Sequence, residues 1–491
     1  MPIDRAYQGE LIASARLKLR DIQASLNERG VKRKPRLMVQ LAAGGGKTVI
    51  ASMIAEATLE KGGRVAFLCH RGFLLDQTSQ TFTKRGVKHS YIAAGKSFNP
   101  RARAHIGMIG SMKSRMGKIE PPSICMPDEG HHGVAKSWKA VIDAWHDTTF
   151  IFLSATPGER TDGVGLHEIC DDIVCGPQVS ELIELGALSD YRWLEGRPPA
   201  ELLALKLSAS DSADKQADIL DKPVIIGDIV GTYKKYAMGK RAVYFAPNIK
   251  MSKDLSDAFN AAGLPWAHMD RETPDWERKR IARAIAKGEL LGFSNVAIAG
   301  EGFDLAAQAG MDVTIEVTGL CRRTQSLPLL IQMAMRAMRA KSEPGIILDH
   351  CGNYSLHKWL PSDDITWTLD GCIRKPKDVK AIQCPRCLAT AYPGPGGTCK
   401  HCGSSLKDGK IEGVRTRAEM EVIEGELVEV ERKQQEAAAT EAAEKHRKKL
   451  EEWSCKTYAD WLGLARRRNY QNPEHWAGMR HSLKQKQKRR A

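Results

Sequence analysis

The hydrophobic pattern of the chain switches repeatedly between two periods. Over residues 1 to about 190, short apolar runs are separated by stretches with helical spacing, as βαβ units require. RLMVQLA (36–42) predicts a strand running into a glycine turn, and TVIASMIAEATLEKG (48–62) predicts a helix stopped by glycine. RVAFLCH (64–70), HIGMIGS (105–111) and TFIFLSA (149–155) are continuous runs suited to a parallel sheet buried on both faces, and PSICM (122–126) is a weaker one. The alternation returns from about 223 to 370, with strand candidates RAVYFAP (241–247), LLGFSNVAIAG (290–300), VTIEVTG (313–319) and GIILDHC (345–351).

Between the two regions, residues 195–222 are rich in Ala, Ser and Asp after a Pro-Pro start, which predicts a part-helical connection. The expected fold class is therefore α/β, with two tandem parallel-sheet lobes over 1–195 and 223–372 joined by 196–222. A short Gly- and Pro-rich segment with paired cysteines follows at 380–406. Residues 412–454 have the Glu, Ala, Lys and Arg content of a long exposed helix, and 455–491 form a basic arm.

A chain of 491 residues is too long for one ordinary core, in keeping with this division. The formal net charge of +15 points to an anionic partner, of which nucleic acid is the commonest for a basic protein. No apolar run is long enough to span a bilayer, and the first residues lack the apolar core of a secretory signal. Cys69, Cys125, Cys170, Cys175, Cys321, Cys351, Cys372 and Cys455 are scattered, as reduced thiols in a cytoplasm would be, and no disulfide framework is expected.

The strongest local chemistry lies in LAAGGGKT (41–48), between a strand and a helix. A triphosphate needs several inward-pointing backbone N–H groups, and only small residues let the backbone approach that closely. Gly44, Gly45 and Gly46 supply that approach. Lys47 would reach the β and γ phosphates of ATP, and the Thr48 hydroxyl would ligate Mg²⁺. A phosphate loop needs a partner acid. Asp128 could hold the Mg²⁺ shell and Glu129 could orient the attacking water, with His131 and His132 directly behind them.

Two further features stand outside the lobes. Cys384, Cys387, Cys399 and Cys402 make two C-x-x-C pairs, the spacing of a closed, structural four-thiolate Zn²⁺ site. Such a segment has too little core to fold without metal, and ribbons of this kind grip nucleic acid or brace a neighbouring domain. In the C-terminal arm, Trp453, Trp461 and Trp476 alternate with basic stretches. They suit either base stacking beside phosphate contacts or the core of a small helical module.

Gly-Lys-Thr, then Asp128-Glu129-Gly130-His131-His132, then Ser154-Ala155-Thr156-Pro157 resemble motifs I, II and III of superfamily 2 helicases, in order and spacing. The flavour is the DEAH-type subset of phage, prophage and restriction-motor proteins, and the resemblance covers roughly residues 1–370. It implies two RecA-like lobes with ATP and Mg²⁺ between them. Glu301 to Asp304, including Gly302, resembles motif V, and Gln332 to Arg339 resembles motif VI. By that match Arg336 and Arg339 would be arginine fingers for the γ-phosphate, and Gln332 would contact the nucleotide or its neighbours. Tyr7 and Gln8 sit where the family reads adenine. His70, Arg71 and Gln77 resemble motif Ia, Ser111 the following strand-contact motif, and Arg160, Asp162 and Gly163 a continuation of motif III.

The implied activity is that of a nucleic-acid-dependent ATPase, a DNA helicase or translocase of phage-type replication or recombination, with DNA favoured over RNA. Three positions depart from the family pattern: Gly130 stands where alanine is usual, Pro127 precedes the acidic pair, and Met335 replaces a glycine before Arg336. They motivate one rival, a nucleic-acid-binding scaffold that holds ATP with little turnover. A second rival is the motor subunit of a restriction or defence complex, which would need a separate nuclease or methyltransferase partner.

Overall fold

The computed structural model describes residues 5–158, 165–196, 198–205, 212–296, 298, 304–374, 381–384, 386–406, 457–468 and 472–488. Seven strands build the first sheet: β1 (Arg36–Gln40), β2 (Val65–Cys69), β3 (Ser90–Ile92), β4 (Ala104–Met108), β5 (Ile124–Pro127), β6 (Thr149–Ser154) and β7 (Asp172–Cys175). Their order is β3-β4-β2-β5-β6-β1-β7, and every pairing is parallel. The continuous apolar runs occupy the interior, where both faces are covered by helices, so β2 is buried at every position.

The chain leaves β1 through the phosphate loop into the helix Lys47–Glu60, then skips over β6 and β5 to reach β2. A crevice at the carboxyl ends of the strands is the usual consequence of such a skip, and ligands bind there. Asp128 follows β5 and Ser154 ends β6, so motifs I, II and III converge on that edge.

The second sheet takes β8 (Tyr191–Glu195), β9 (Ala242–Phe245), β10 (Trp266–Met269), β11 (Gly292–Asn295), β12 (Val317–Leu320) and β13 (Gly345–Asp349). These six run parallel in the order β10-β11-β9-β12-β13-β8. The fold is therefore two tandem RecA-like lobes. The sequence pattern had placed residues up to 195 in the first lobe, yet β8 hydrogen-bonds β13 over its whole length, from Tyr191↔Gly345 to Glu195↔Asp349. The second sheet thus begins before the connection, whose described residues carry the helices Ala200–Ala204 and Ser212–Leu220.

Two hairpins close this part of the chain. The first, β14 (Ile365–Thr368) with β15 (Gly371–Arg374), returns to the first lobe: Gln178 exchanges hydrogen bonds with the Ile365 backbone at 3.1 Å each, and Leu166 N–H donates to the Leu369 carbonyl at 2.8 Å. The second, β16 (Ile382–Gln383) with β17 (Ala389–Ala391), carries the cysteine ribbon and adds to the second sheet antiparallel to β8. An exposed sheet edge is thereby covered.

The last part of the chain is a separate unit. Its described residues form the helices Tyr458–Arg467 and Pro473–Lys488, which pack through Trp461, Leu464 and Ala477 with the Trp461 and Trp476 rings 5.8 Å apart, edge to face. Trp461 is thus committed to a core, whereas Trp476 is half-buried under the Arg480 guanidinium. The expected charged helix at 412–454 and Trp453 lie outside the described residues. Among the described residues, no helix is long and apolar enough to cross a membrane.

Candidate nucleotide and metal sites

The phosphate loop is shaped by its glycines. Gly44 and Gly46 have φ of +86° and +94°, and Gly46 caps the helix that begins at Lys47. Val49 and Ile50 N–H both donate to the Gly46 carbonyl, at 2.9 and 3.0 Å, and the positive end of the helix dipole lies at this loop, which suits an anion. A side chain at Gly44 would collide with Leu188, whose Cδ2 stands 2.8 Å from where a Cβ would be. Leu188 belongs to the segment entering the second lobe, so the phosphate loop already touches the joint between lobes.

Tyr7 and Gln8, on the first turn of the helix Ala6–Glu28, are buried against this loop. The Tyr7 hydroxyl donates to the Gly45 carbonyl at 2.7 Å, and the Gln8 amide donates to the same oxygen at 3.3 Å. Burial raises the Tyr7 pKa, so the phenol keeps its proton as a donor. Both residues thus hold the loop itself in this structure.

Asp128 and Glu129 are both buried. Asp128 N–H donates to the Leu68 carbonyl at 2.8 Å, which locks the residue to β2. Burial, then the charge of Glu129, pushes the Asp128 carboxyl up to about 7, against opposing pulls from Lys47 and His70. Glu129 has φ of +50°, a left-handed conformation uncommon for a non-glycine residue and a mark of a site held by its surroundings. Its Oε2 lies 3.5 Å from His131 Nδ1, and that nitrogen is 3.0 Å from Ser154 Oγ, which accepts from Thr156 N–H. His131 therefore joins the acidic pair to Ser154, while the His132 ring packs edge-on against His70, 4.9 Å between centroids.

Two of the three departures, Gly130 and Met335, have a packing reason. A Cβ on Gly130 would come within 2.7 Å of Phe152 Cβ, so alanine does not fit beside this phenylalanine of β6. Pro127 has no N–H to give. Pairing of β5 with β6 accordingly stops at Cys125 and resumes as a single bridge from Asp128 to Leu153. Met335 is 2 % exposed and sits in the same apolar cluster as Met333, Ala334 and Met338, so its side chain is taken up by the core.

In the second lobe, Gln332 is buried on the helix Leu327–Ala334, and Arg336 lies on the 3₁₀ turn Met335–Met338 that follows it. Arg339, directly after that turn, forms an ion pair with Asp304. Asp304 in turn caps the helix Leu305–Ala309 by accepting from Ala307 N–H at 3.1 Å. Burial alone would raise the Asp304 pKa, but the Arg339 guanidinium outweighs it and holds the carboxyl below the usual range. Glu301, Gly302, Arg160, Asp162 and Gly163 lie outside the described residues. Of the other matched positions, His70 and Arg71 stand beside the acidic pair's histidines, with Arg71 Nε donating to His70 Nε2 at 3.1 Å. Gln77 and Ser111 are half-buried on the helices Gly72–Lys84 and Ile109–Arg115.

The four ribbon cysteines converge. Their Sγ atoms all lie within 4.8 Å of one another, with Cys384–Cys402 and Cys387–Cys399 at 3.6 Å. Tetrahedral Zn²⁺ with Zn–S bonds of about 2.3 Å demands S–S edges of about 3.8 Å, so the donor set fits that ion. Burial pushes the Cys387 and Cys399 thiols up. At Cys384 and Cys402, N–H groups and the Ser404 hydroxyl outweigh burial and pull the thiols down, which favours thiolates. His401 is absent from the cluster. Around it, Gln383 donates to the Glu195 carbonyl at 2.8 Å and the Lys400 ammonium stands 4.7 Å over the Tyr191 ring, so the ribbon grips β8.

A doubly wound parallel pair of lobes with these motifs on facing edges is the architecture of superfamily 2 helicase-type ATPases. Residues 3–159 match the family described as type III restriction enzyme, res subunit. The chain is 32% identical over 400 residues to the "51.5 kDa protein" of a Lactococcus phage, covering 80% of this chain and 83% of that one. It is 26% identical over 385 residues to the "Putative ATP-dependent helicase IRC3" of Saccharomyces cerevisiae, covering 71% of this chain and 51% of that protein. Among solved structures, the Pyrococcus furiosus Hef helicase domain aligns with a TM-score of 0.41 at 14% identity, over 64% of this chain and 92% of that one. The chain belongs to the superfamily 2 helicase family that includes the phage protein.

Proposed function

We propose that the protein is an ATP-driven DNA translocase or helicase of phage-type replication or recombination. The observation that carries this reading is the contact of Leu188 with Gly44, one residue before Ser189 bonds the motif VI turn and three before β8 begins. A change at the phosphate loop is thereby transmitted into the second lobe. In this reading Gly44, Gly45, Gly46 and Lys47 cradle the phosphates, and Glu129 orients the attacking water. Thr48 and Asp128 would hold Mg²⁺, which neutralises phosphate charge. Arg336 and Arg339 meet the γ-phosphate from the second lobe and close the crevice. Tyr7 and Gln8 link adenine recognition to the Gly45 carbonyl they already hold.

DNA is the favoured partner because the matched family is that of a restriction-enzyme subunit and the net charge is +15. That match also supports the second reading, a motor subunit of a restriction or defence complex. The packing reasons for Gly130 and Met335 support turnover over a non-hydrolysing scaffold. Displacement of a labelled third strand from a DNA triplex tests translocation. ATP-dependent displacement is expected, and DNA-stimulated hydrolysis with no displacement would sink the translocase part.

Zn²⁺ in the four-thiolate site would supply the folding energy of the ribbon and so keep β17 on β8. Replacing Cys387 with serine is expected to lower bound zinc from about one equivalent and the melting temperature by several degrees, since each kcal/mol moves a lobe of this size by about 2–4 °C. Metal analysis beside a thermal melt reads both; a metal-free wild type with an unchanged variant melt would contradict the assignment.

A further inference from the structure

The joint between the lobes contains a lysine that the motif comparison does not use. After the turn Met335–Met338, Arg339 runs extended and pairs antiparallel with Leu188, while Ser189 N–H donates to the Met338 carbonyl at 3.0 Å. Lys341 closes this arrangement. Its ammonium donates to the Ser189 hydroxyl at 3.0 Å, to the Arg339 carbonyl at 3.3 Å and to the Ala337 carbonyl. Those carbonyls end the motif VI turn, where helix-type C=O groups lack partners of their own. Three acceptors for the three protons of one ammonium make a complete set.

We propose that Lys341 is a positioning residue that fixes Arg339 relative to the phosphate loop by tying the motif VI turn to Ser189. Leu188, next to Ser189, leans on Gly44, so the chain Gly44–Leu188–Ser189–Lys341–Arg339 spans from the loop to the proposed finger. The inference rests on the reading of Arg339 as a γ-phosphate contact. Burial lowers the Lys341 pKa to about 8, as expected for an ammonium held by neutral acceptors. Such a group is retained where its hydrogen bonds matter, because an apolar side chain would avoid the desolvation.

The test is steady-state ATP hydrolysis by the full chain, with single-stranded DNA, for Lys341→Met, Lys341→Arg, Ser189→Ala and Arg339→Ala. Displacement of a finger by part of an ångström costs on the order of ten- to a hundredfold in rate. Lys341→Met is expected to lose kcat by about that factor while KM for ATP stays within about twofold, because the phosphate loop itself is untouched. Lys341→Arg should recover part of the loss, and Ser189→Ala should lose about threefold, since one neutral hydrogen bond is removed. Wild-type kcat in Lys341→Met beside an inactive Arg339→Ala would overturn the inference and leave the finger reading standing. An active Arg339→Ala would overturn the finger reading itself. If Lys341→Met fails to fold, Ser189→Ala decides: unchanged kcat there overturns the inference, and a kcat-only loss supports it.

Discussion

Replacing Glu129 with glutamine is expected to cut DNA-stimulated ATP hydrolysis by about a thousandfold while leaving nucleotide binding intact. The carboxylate is buried, held at a left-handed backbone position and set beside Asp128. Glutamine keeps the shape and removes the carboxylate that, in the proposed reading, orients the attacking water. It also removes the like charge that helps push the Asp128 carboxyl up to about 7. Asp128 should then ionise more readily, so Mg²⁺·ADP should bind at least as tightly as in the wild type, and the nucleotide-free variant should melt no lower. Fluorescent ADP titration beside a turnover assay separates the two effects. Equal loss of binding and turnover would show that Glu129 shapes the pocket and takes no part in the chemistry.

Replacing Arg339 with alanine is expected to have two separable consequences. Loss of an arginine finger costs on the order of a thousandfold or more in turnover. The same change strands Asp304, whose ion pair with Arg339 is only partly open to water, with side-chain exposures of 16% and 30% for the acid and the arginine. Breaking a buried pair costs about 3–5 kcal/mol, and the solvent access of Arg339 reduces this to about 2 kcal/mol. Because the pair holds the Asp304 pKa below its unfolded value, its stabilisation is present above the unfolded pKa and is lost as pH falls through the folded one. The variant's stability deficit should therefore hold from pH 7 down to the ordinary aspartate pKa of about 3.9 and shrink as pH is lowered below it. A second substitution, Asp304→Asn, should restore the melting temperature of Arg339→Ala without restoring turnover. Joint recovery of both would mean that Arg339 serves structure alone.

How much of this was legible from sequence varies with the physics involved. The strands β1, β2, β4, β6, β9, β11, β12 and β13 were visible as apolar runs because they lie inside parallel sheets and are covered on both faces. The short strands β3, β7 and β10 lie at sheet edges, where SYI, DIVC and WAHM carry no such run. β8 failed for another reason: YRWLE precedes the connection, and only its pairing with β13 assigns it to the second lobe.

The candidate site divides in the same way. Gly44 to Thr48, Asp128 with Glu129, and the four cysteines were legible because their chemistry demands fixed local spacing. The fit of Gly130 depends on Phe152 across the sheet, and the hold of Tyr7 and Gln8 on Gly45 depends on where the first helix packs. Neither is encoded in a local pattern. Leu188, Ser189 and Lys341 were missed altogether, since a leucine, a serine and a lysine carry no signature until the lobes are brought together. The docking of the ribbon on β8 belongs to the same class, although its metal-binding spacing was plain.

The central claim is that nucleic acid drives ATP turnover at the phosphate loop. The most direct measurement is steady-state ATP hydrolysis by the full chain with and without single-stranded DNA, beside Lys47→Ala. The account predicts strong stimulation by DNA that disappears in the variant. Turnover unchanged by DNA that is demonstrably bound, or stimulation that survives loss of Lys47, would contradict it.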